Sequence, residues 1–221
     1  NEHVQKMLQG QGIRNLSRVE AVDGGKVSLH MRRDGGMGEG PEWLFRRNHF
    51  GLDRHVMGAA MSHVGIWLSA AECLDDLDWV LIFEDDVWLP DDFVQRFTHR
   101  LQRLNQHDRD WDYVCVGARG DLGEYVDFDD FEEVPGVMRI RNYRVCYAHA
   151  YIVKKSAAQA FLDMAAQEGV GCAIDWYIAI HSQRLQSYAF MPSLAGQHPQ
   201  LSTVDRQTAH WGAGSLAASG F

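Results

Sequence analysis

Trp79-Val80-Leu81-Ile82-Phe83-Glu84-Asp85-Asp86-Val87 is the stretch on which the reading of this chain turns. Five uninterrupted apolar residues have the length of a strand. A continuous apolar run, unlike an alternating one, suits a strand covered on both faces, as in a parallel sheet between helices. The run ends abruptly in three carboxylates. Side by side at the end of a buried strand they repel one another, and the cluster is costly unless a cation or hydrogen-bond donors compensate it. If strand geometry persisted through them, Glu84 and Asp86 would point one way and Asp85 the other, so that the first and third could share a ligand. Acids also decorate helix N-termini, but the next helix opens at Pro90 and Asp91, where Asp91 and Asp92 already supply the acidic first turn.

Before this strand, residues 54–74 carry Val56, Ala60, His63, Trp67, Ala70 and Leu74 at steps of three and four, beside a second stripe of Met57, Met61, Val64 and Leu68. The spacing predicts a helix apolar around most of its circumference, packed on a sheet. Further upstream, residues 2–9 read as a short helix ended by Gly10 and Gly12. A strand is expected over residues 18–22, stopping at Asp23-Gly24-Gly25, and residues 26–50 are Gly- and Arg-rich and irregular. Downstream, the helix from Asp91 is expected to reach about Leu104 and a core strand to cover residues 113–116. An acidic loop then runs from Asp121 to Glu133, and strands cover residues 137–140 and 148–153. Ser156 and Asp175 are expected to cap two further helices, and residues 185–190 to form a last strand closed by Pro192. This alternation predicts an α/β fold with a mostly parallel sheet flanked by helices. With no repeat and only five prolines, residues 1–221 are read as a single domain, with the tail after about residue 205 peripheral.

Composition narrows the function classes. In 221 residues, 46% hydrophobic and 23% charged side chains exclude a disordered chain, and the length excludes a disulfide-stapled miniprotein. Thirty acidic against 21 basic residues give a net charge of −9, which opposes a polyanionic partner, so nucleic acid is not expected. An anionic ligand would have to be neutralised locally by a metal ion or donors. No apolar run approaches the roughly 20 residues that span a bilayer, and no signal-like segment opens the chain, so a cytoplasmic protein is expected. Cys73, Cys115, Cys146 and Cys172 are scattered without a C-x-x-C pair, which fits buried thiols in a reducing compartment, with a disulfide as the alternative.

Ligands of open α/β sheets sit beyond the carboxyl ends of strands, where the Glu84, Asp85, Asp86 cluster falls. Its hard oxygen donors point to Mg²⁺ or Mn²⁺. Ser62 and His63 stand together in the buried helix, but no G-x-S-x-G elbow accompanies them, which argues against a serine hydrolase.

Ala21-Val22-Asp23-Gly24, Gly58-Ala59-Ala60-Met61-Ser62-His63 with Trp67, Phe83-Glu84-Asp85-Asp86-Val87, Ala148-His149-Ala150-Tyr151 and Ile174-Asp175-Trp176 form an ordered set over about residues 1–205. Together they resemble glycosyltransferase family 25, which includes bacterial lipooligosaccharide and collagen galactosyltransferases. The resemblance implies a GT-A-like nucleotide-binding sheet, a UDP-sugar donor, a divalent metal at a DXD-type motif, and inversion at the anomeric carbon. On this reading Asp86 binds the metal, Glu84 is a second ligand or a ribose contact, and Asp85 supports them. His198 in Gly196-Gln197-His198-Pro199-Gln200-Leu201-Ser202 adds a ligand from near the C-terminus, and Gln197 and Ser202 contact the diphosphate. Asp23 would contact the nucleoside, although alone it reads as a turn residue. Ser62 and His63 are donor-binding candidates, with a satisfied core histidine as the alternative.

An inverting transfer needs one general base for the acceptor hydroxyl. Asp175 is the first choice, a plain N-cap being its other reading, with the loop acids Asp127, Asp129 and Asp130 as runners-up. Two departures stand out. The family's usual first apolar strand does not precede the helix at residues 1–8, which signals either a trimmed fragment or weakened seating of the nucleoside. Gly58-Ala59 also replaces a usual Gly-Cys.

The expected activity is therefore a metal-dependent inverting transfer of a hexose, first of all galactose, from a UDP-sugar to a glycan, lipid-linked or protein-linked hydroxyl. A metal-dependent phosphohydrolase and a non-catalytic nucleotide-sugar or partner-binding remnant are the competing readings. A lipid-linked acceptor would bring the protein to the inner face of a membrane, with residues 43–47 (Trp43, Leu44, Phe45, Arg46, Arg47) as an amphipathic patch, or else as a loop tucking its aromatics into the core.

Overall fold

A computed structural model describes residues 2–26, 53–73, 78–117, 132–141 and 147–198. Its helices are α1 (Glu2–Gly10), α2 (Arg54–Cys73), α3 (Phe93–His107), α4 (Lys155–Glu168) and α5 (Ile174–Ser182), with a 3-10 turn at Gly24–Lys26. The strands are β1 (Trp79–Phe83), β2 (Val87–Trp88), β3 (Tyr113–Cys115), β4 (Glu132–Val134), β5 (Val137–Arg139), β6 (Ala150–Lys154), β7 (Ser187–Phe190) and β8 (Gly196–Gln197). Six strands form one sheet in the order β1-β6-β3-β7-β5-β4, and β2 pairs with β8 in a separate two-stranded ladder.

The fold is mixed α/β, but the expected mostly parallel sheet is not what forms. Among the described strands only β3 and β7 are parallel neighbours, while β1–β6, β3–β6, β5–β7 and β4–β5 are antiparallel. The reason lies in what a continuous apolar run reports. Burial on both faces follows from helices on both faces, whatever the strand directions. Tyr113, Cys115, Tyr151, Val153 and Ala189 turn to one core with Met57, Val64 and Trp67 of α2, Phe161 of α4 and Tyr177 of α5. Val114, Ala150, Ile152, Tyr188 and Phe190 turn to a second core with Val4 and Leu8 of α1 and Phe93, Phe97, Leu101 and Leu104 of α3.

The run at residues 79–83 is also less covered than expected. β3, β6 and β7 are nearly fully buried, whereas Ile82 is the buried residue of β1. β1 pairs with β6 along one edge, and among the described residues no strand pairs with its other edge.

Several expected boundaries shift for local reasons. Residues 18–22 join no ladder among the described residues; the Val22 N–H instead donates to Ser62 Oγ, 2.9 Å away. Ser156 lies inside α4 and donates to Asp112 Oδ1 at 3.3 Å, while Lys154 takes the capping position. Asp175 is the second residue of α5, after Ala173 at the cap. α3 is capped from outside: Gln11, just past α1, accepts from the Val94 N–H at 3.3 Å and donates to Pro90 O at 2.9 Å. β4 begins within the stretch read as an acidic loop. Gly169, at φ +78°, lets the chain leave α4 in a conformation that a side chain would strain. No helix of the described residues is long and apolar enough to cross a membrane.

Gly58 shows how tightly residues 22–24 dock on α2. A Cβ there would lie 2.6 Å from Val22 O and 2.7 Å from Gly24 N, both backbone atoms. Gly58→Ala is therefore expected to cost about 1–3 kcal/mol in urea unfolding, because a helix and a chain segment must separate rather than a side chain rotate. A substitution within 0.5 kcal/mol of the parent would show that the docking is loose.

Candidate functional site

β1, β3 and β7 run in the same direction, so their carboxyl ends open onto one end of the sheet. Antiparallel β6 begins at that end. The register Ile82↔Tyr151 and Phe83↔Ala150 therefore brings residues 148–151 beside the end of β1, and the Glu84 N–H donates to His149 O at 3.0 Å. The strand stops at Phe83, and Asp85 and Asp86 lie in a turn closed by Val87 N–H to Glu84 O at 3.3 Å. Strand alternation thus does not carry through the acids, so strand geometry no longer implies a common face for Glu84 and Asp86.

Glu84 turns toward α2. Its Oε1 lies 3.1 Å from His63 Nε2, and His63 Nδ1 lies 2.9 Å from the Tyr151 hydroxyl. That hydroxyl accepts from Trp67 Nε1 at 3.0 Å. An indole N–H can only donate and an ionised carboxylate can only accept, so Trp67 donates to the Tyr151 oxygen, His63 Nε2–H donates to Glu84, and in a neutral His63 the remaining nitrogen, Nδ1, accepts the Tyr151 proton. Neutral His63 is thereby fixed as the Nε2–H tautomer, and the chain runs Trp67 to Tyr151 to His63 to Glu84. His63 and Trp67 are one helical turn apart on α2, which is why a single face of that helix supplies both.

Burial acts to raise the Glu84 carboxyl, but the hydrogen bond and field of His63, the nearby His149 and a bond from the Gln197 side chain outweigh it and hold the group below its usual range. Burial pushes the Tyr151 phenol far up, so it stays a neutral hydroxyl. Tyr151→Phe removes the central link and orphans the Trp67 N–H and His63 Nδ1. A loss of about 1–3 kcal/mol per orphaned group is expected in chemical denaturation, and a neutral outcome would break the chain of donors deduced here.

Asp86 is 7% exposed. Its backbone oxygen accepts from the His198 N–H at 2.7 Å, continuing the ladder in which Val87 faces Gln197 and Trp88 faces Gly196. Asp86 Oδ1 is buried with no hydrogen-bond donor, although the residue has other interactions. The β2–β8 ladder thus brings the Gln197-His198 segment, distant in sequence, alongside the acidic strand end.

Asp175 joins the same neighbourhood from α5. Its Oδ1 accepts from its neighbour's N–H, Trp176, at 2.8 Å. Burial raises its carboxyl, the Trp176 N–H opposes this, and the negative charge of Glu84 raises it further. His149, 2% exposed, stands between Glu84 and Gly117, where a Cβ on the glycine would lie 2.4 Å from Nε2. Burial lowers its pKa, opposed by the charge of Glu84 and by the Ala195 backbone.

No protein-family model matches the chain.

The site is therefore read from its own residues. Glu84, Asp86, Asp175, Gln197 and His198 meet at one end of the sheet, joined by His63 through Glu84. Asp85 sits exposed on the turn between Glu84 and Asp86. Ser62 serves elsewhere: its hydroxyl accepts from Val22 N–H and donates to Gly58 O at 2.8 Å, tying residues 22–24 to α2. Asp23 closes its own turn, accepting from Gly25 N–H at 3.0 Å and pairing with Lys26 at 3.3 Å, and these partners lower its pKa. Ser202, Asp127, Asp129, Asp130 and residues 43–47 lie outside the described residues. Tyr151, Trp67 and His149 carry no role in the sequence reading; the signal available was their position within the quoted segments, Trp67 one turn from His63, and His149 and Tyr151 one residue either side of Ala150, where the strand starts.

Among the described residues no group of three or more His, Cys, Asp or Glu side chains is placed to hold a metal. The donor set still fits a hard cation of the Mg²⁺ or Mn²⁺ kind, which characteristically takes one or two carboxylates and completes its shell with water and substrate phosphate oxygens. Asp86, whose Oδ1 is buried without a hydrogen-bond donor, and His198, joined to it through the backbone, are the residues that would hold such an ion. Glu84, bonded to His63 and Gln197, is committed inward.

Proposed function

We propose that this chain is a GT-A-like, inverting hexosyltransferase of the glycosyltransferase family 25 type. It would move a hexose, galactose first among candidates, from a UDP-sugar to a hydroxyl of a glycan or glycoconjugate. The observation that carries the reading is the juxtaposition, at the carboxyl ends of β1 and β3, of Asp86 with His198 and of Glu84 with Asp175. A bound Mn²⁺ or Mg²⁺ would act as a Lewis acid on the diphosphate, offsetting charge that a protein of net −9 does not otherwise neutralise. Asp86 and His198 would hold that ion.

In this reading Asp175 accepts the proton of the acceptor hydroxyl as its oxygen forms a bond to the anomeric carbon. The bond from that carbon to the phosphate oxygen breaks, and UDP departs with the electron pair. Glu84, anchored by His63 and Gln197, keeps a fixed negative charge beside Asp175. A cytoplasmic setting, at the inner face of a membrane where the acceptor is lipid-linked, belongs to the same reading.

The test is turnover of UDP-hexoses with Mn²⁺ and with chelator. Metal-dependent appearance of UDP supports the reading. Release of inorganic phosphate would transfer support to phosphohydrolysis, and no calorimetric binding of UDP with Mn²⁺ would leave a non-catalytic domain.

A further inference from the structure

α5 sets a second feature next to Asp175. Trp176 follows it in the first turn and is 41% exposed, and Ile180, one turn on along the same side, is 43% exposed. Their neighbours Tyr177, Ile178 and Ala179 are buried in the core, so the helix is firmly seated and its outward strip is a rigid surface. A rigid aromatic face loses little entropy when a ligand packs on it.

The strip adjoins the carboxylate assigned as base, and a hydroxyl giving up its proton must come within hydrogen-bond reach of that base. Whatever carries the hydroxyl therefore lies against the surface flanking Asp175. Size then limits the occupant. A stable protein partner removes about 800 Å² from each side of an interface, whereas this strip consists of one indole and one isoleucine, each less than half exposed. Such a strip has the dimensions of a sugar ring, whose C–H face is apolar while its edge carries hydroxyls.

We infer that Trp176, extended by Ile180, is the platform on which the pyranose ring of a saccharide acceptor stacks, presenting one of its hydroxyls to Asp175. This rests on the transferase reading and narrows it: the acceptor is a sugar rather than a protein hydroxyl or a bare lipid.

The probes are methyl glycosides of glucose, galactose and N-acetylglucosamine, added to the full chain with UDP and Mn²⁺. Binding of UDP with Mn²⁺ is measured first by calorimetry, and its failure would overturn the transferase reading itself. With UDP bound, the ¹⁵N–¹H indole resonance of Trp176, assigned from Trp176→Phe, is expected to shift with at least one glycoside while that of exposed Trp88 stays in place. In transfer assays Trp176→Ala should raise the acceptor KM about tenfold, in the range of one aromatic contact, with the UDP-hexose KM moving less than twofold. Trp176→Phe should retain most of the affinity. UDP binding with no glycoside shifting the Trp176 resonance, or both KM values rising together in Trp176→Phe, would overturn the platform while leaving the transferase reading intact.

Discussion

Asp175→Asn is expected to lower kcat for hexosyl transfer by roughly a hundredfold or more, the usual contribution of a positioned base, while the KM for the UDP-sugar changes little. Asparagine keeps the shape and still accepts the Trp176 N–H through its carbonyl, so the helix start survives and the proton acceptor alone is lost. The environment explains why this carboxylate is suited to the task. One oxygen is anchored by the Trp176 N–H at 2.8 Å, which fixes the side chain at the helix start. Burial and the fixed negative charge of Glu84 both raise its pKa, whereas His63 and its neighbours hold Glu84 below the normal range. Two acids with environments pushing them apart are the arrangement by which one becomes a proton acceptor and the other a standing charge.

The sign of the pH dependence follows. A base works deprotonated, so kcat/KM falls as pH drops through the pKa of Asp175, and this acid limb should lie above the ordinary aspartate value of about 3.9. Glu84→Gln removes one cause of the upward shift and should move the limb to lower pH. A limb unmoved by Glu84→Gln, together with near-parental turnover in Asp175→Asn, would pass the role of base to another residue.

How much of this was legible in the sequence depended on whether the signal was local. The helix over residues 54–73 declared itself because its apolar positions repeat along one segment, and the strand at residues 79–83 because its run is continuous. Sheet direction was not legible: β6 inserts antiparallel between β1 and β3, and nothing in an apolar run encodes the direction of its neighbour. The expected strand at residues 18–22 had suitable composition but found no ladder partner, since a strand requires a second chain segment that propensity cannot supply. The site divided in the same way. Chemistry marked Glu84, Asp86 and Asp175, and the structure sets them at one end of the sheet. That Glu84 would meet His63 depended on the strand ending at Phe83 and on Tyr151, reached only through the register of β6 on β1. Ser62 drew attention by standing beside His63, yet its hydroxyl serves the docking of residues 22–24.

Asp86→Asn should produce the other large effect, and in binding rather than in turnover alone. Removing the carboxylate charge next to His198 should weaken the Mn²⁺-dependent affinity for UDP by about a hundredfold, on the order of 3 kcal/mol, leaving the variant in Mn²⁺ no tighter than the parent in chelator. The expectation follows from the small protein donor set: a cation with one carboxylate and one imidazole to hold it depends on that carboxylate far more than a cation in a full cage does. His198→Gln should weaken binding less, because its backbone N–H, bonded to Asp86 O at 2.7 Å, keeps the β2–β8 ladder in place. Asp86 is nearly buried, so melting curves recorded without metal must separate loss of fold from loss of the ion, and the amide, close in shape to the carboxylate, is the appropriate replacement. Undiminished Mn²⁺-dependent UDP binding by a folded Asp86→Asn variant would show that the acids after Phe83 do not grip a cation, and with it the argument from the acidic strand end to a nucleotide-sugar transferase would fail.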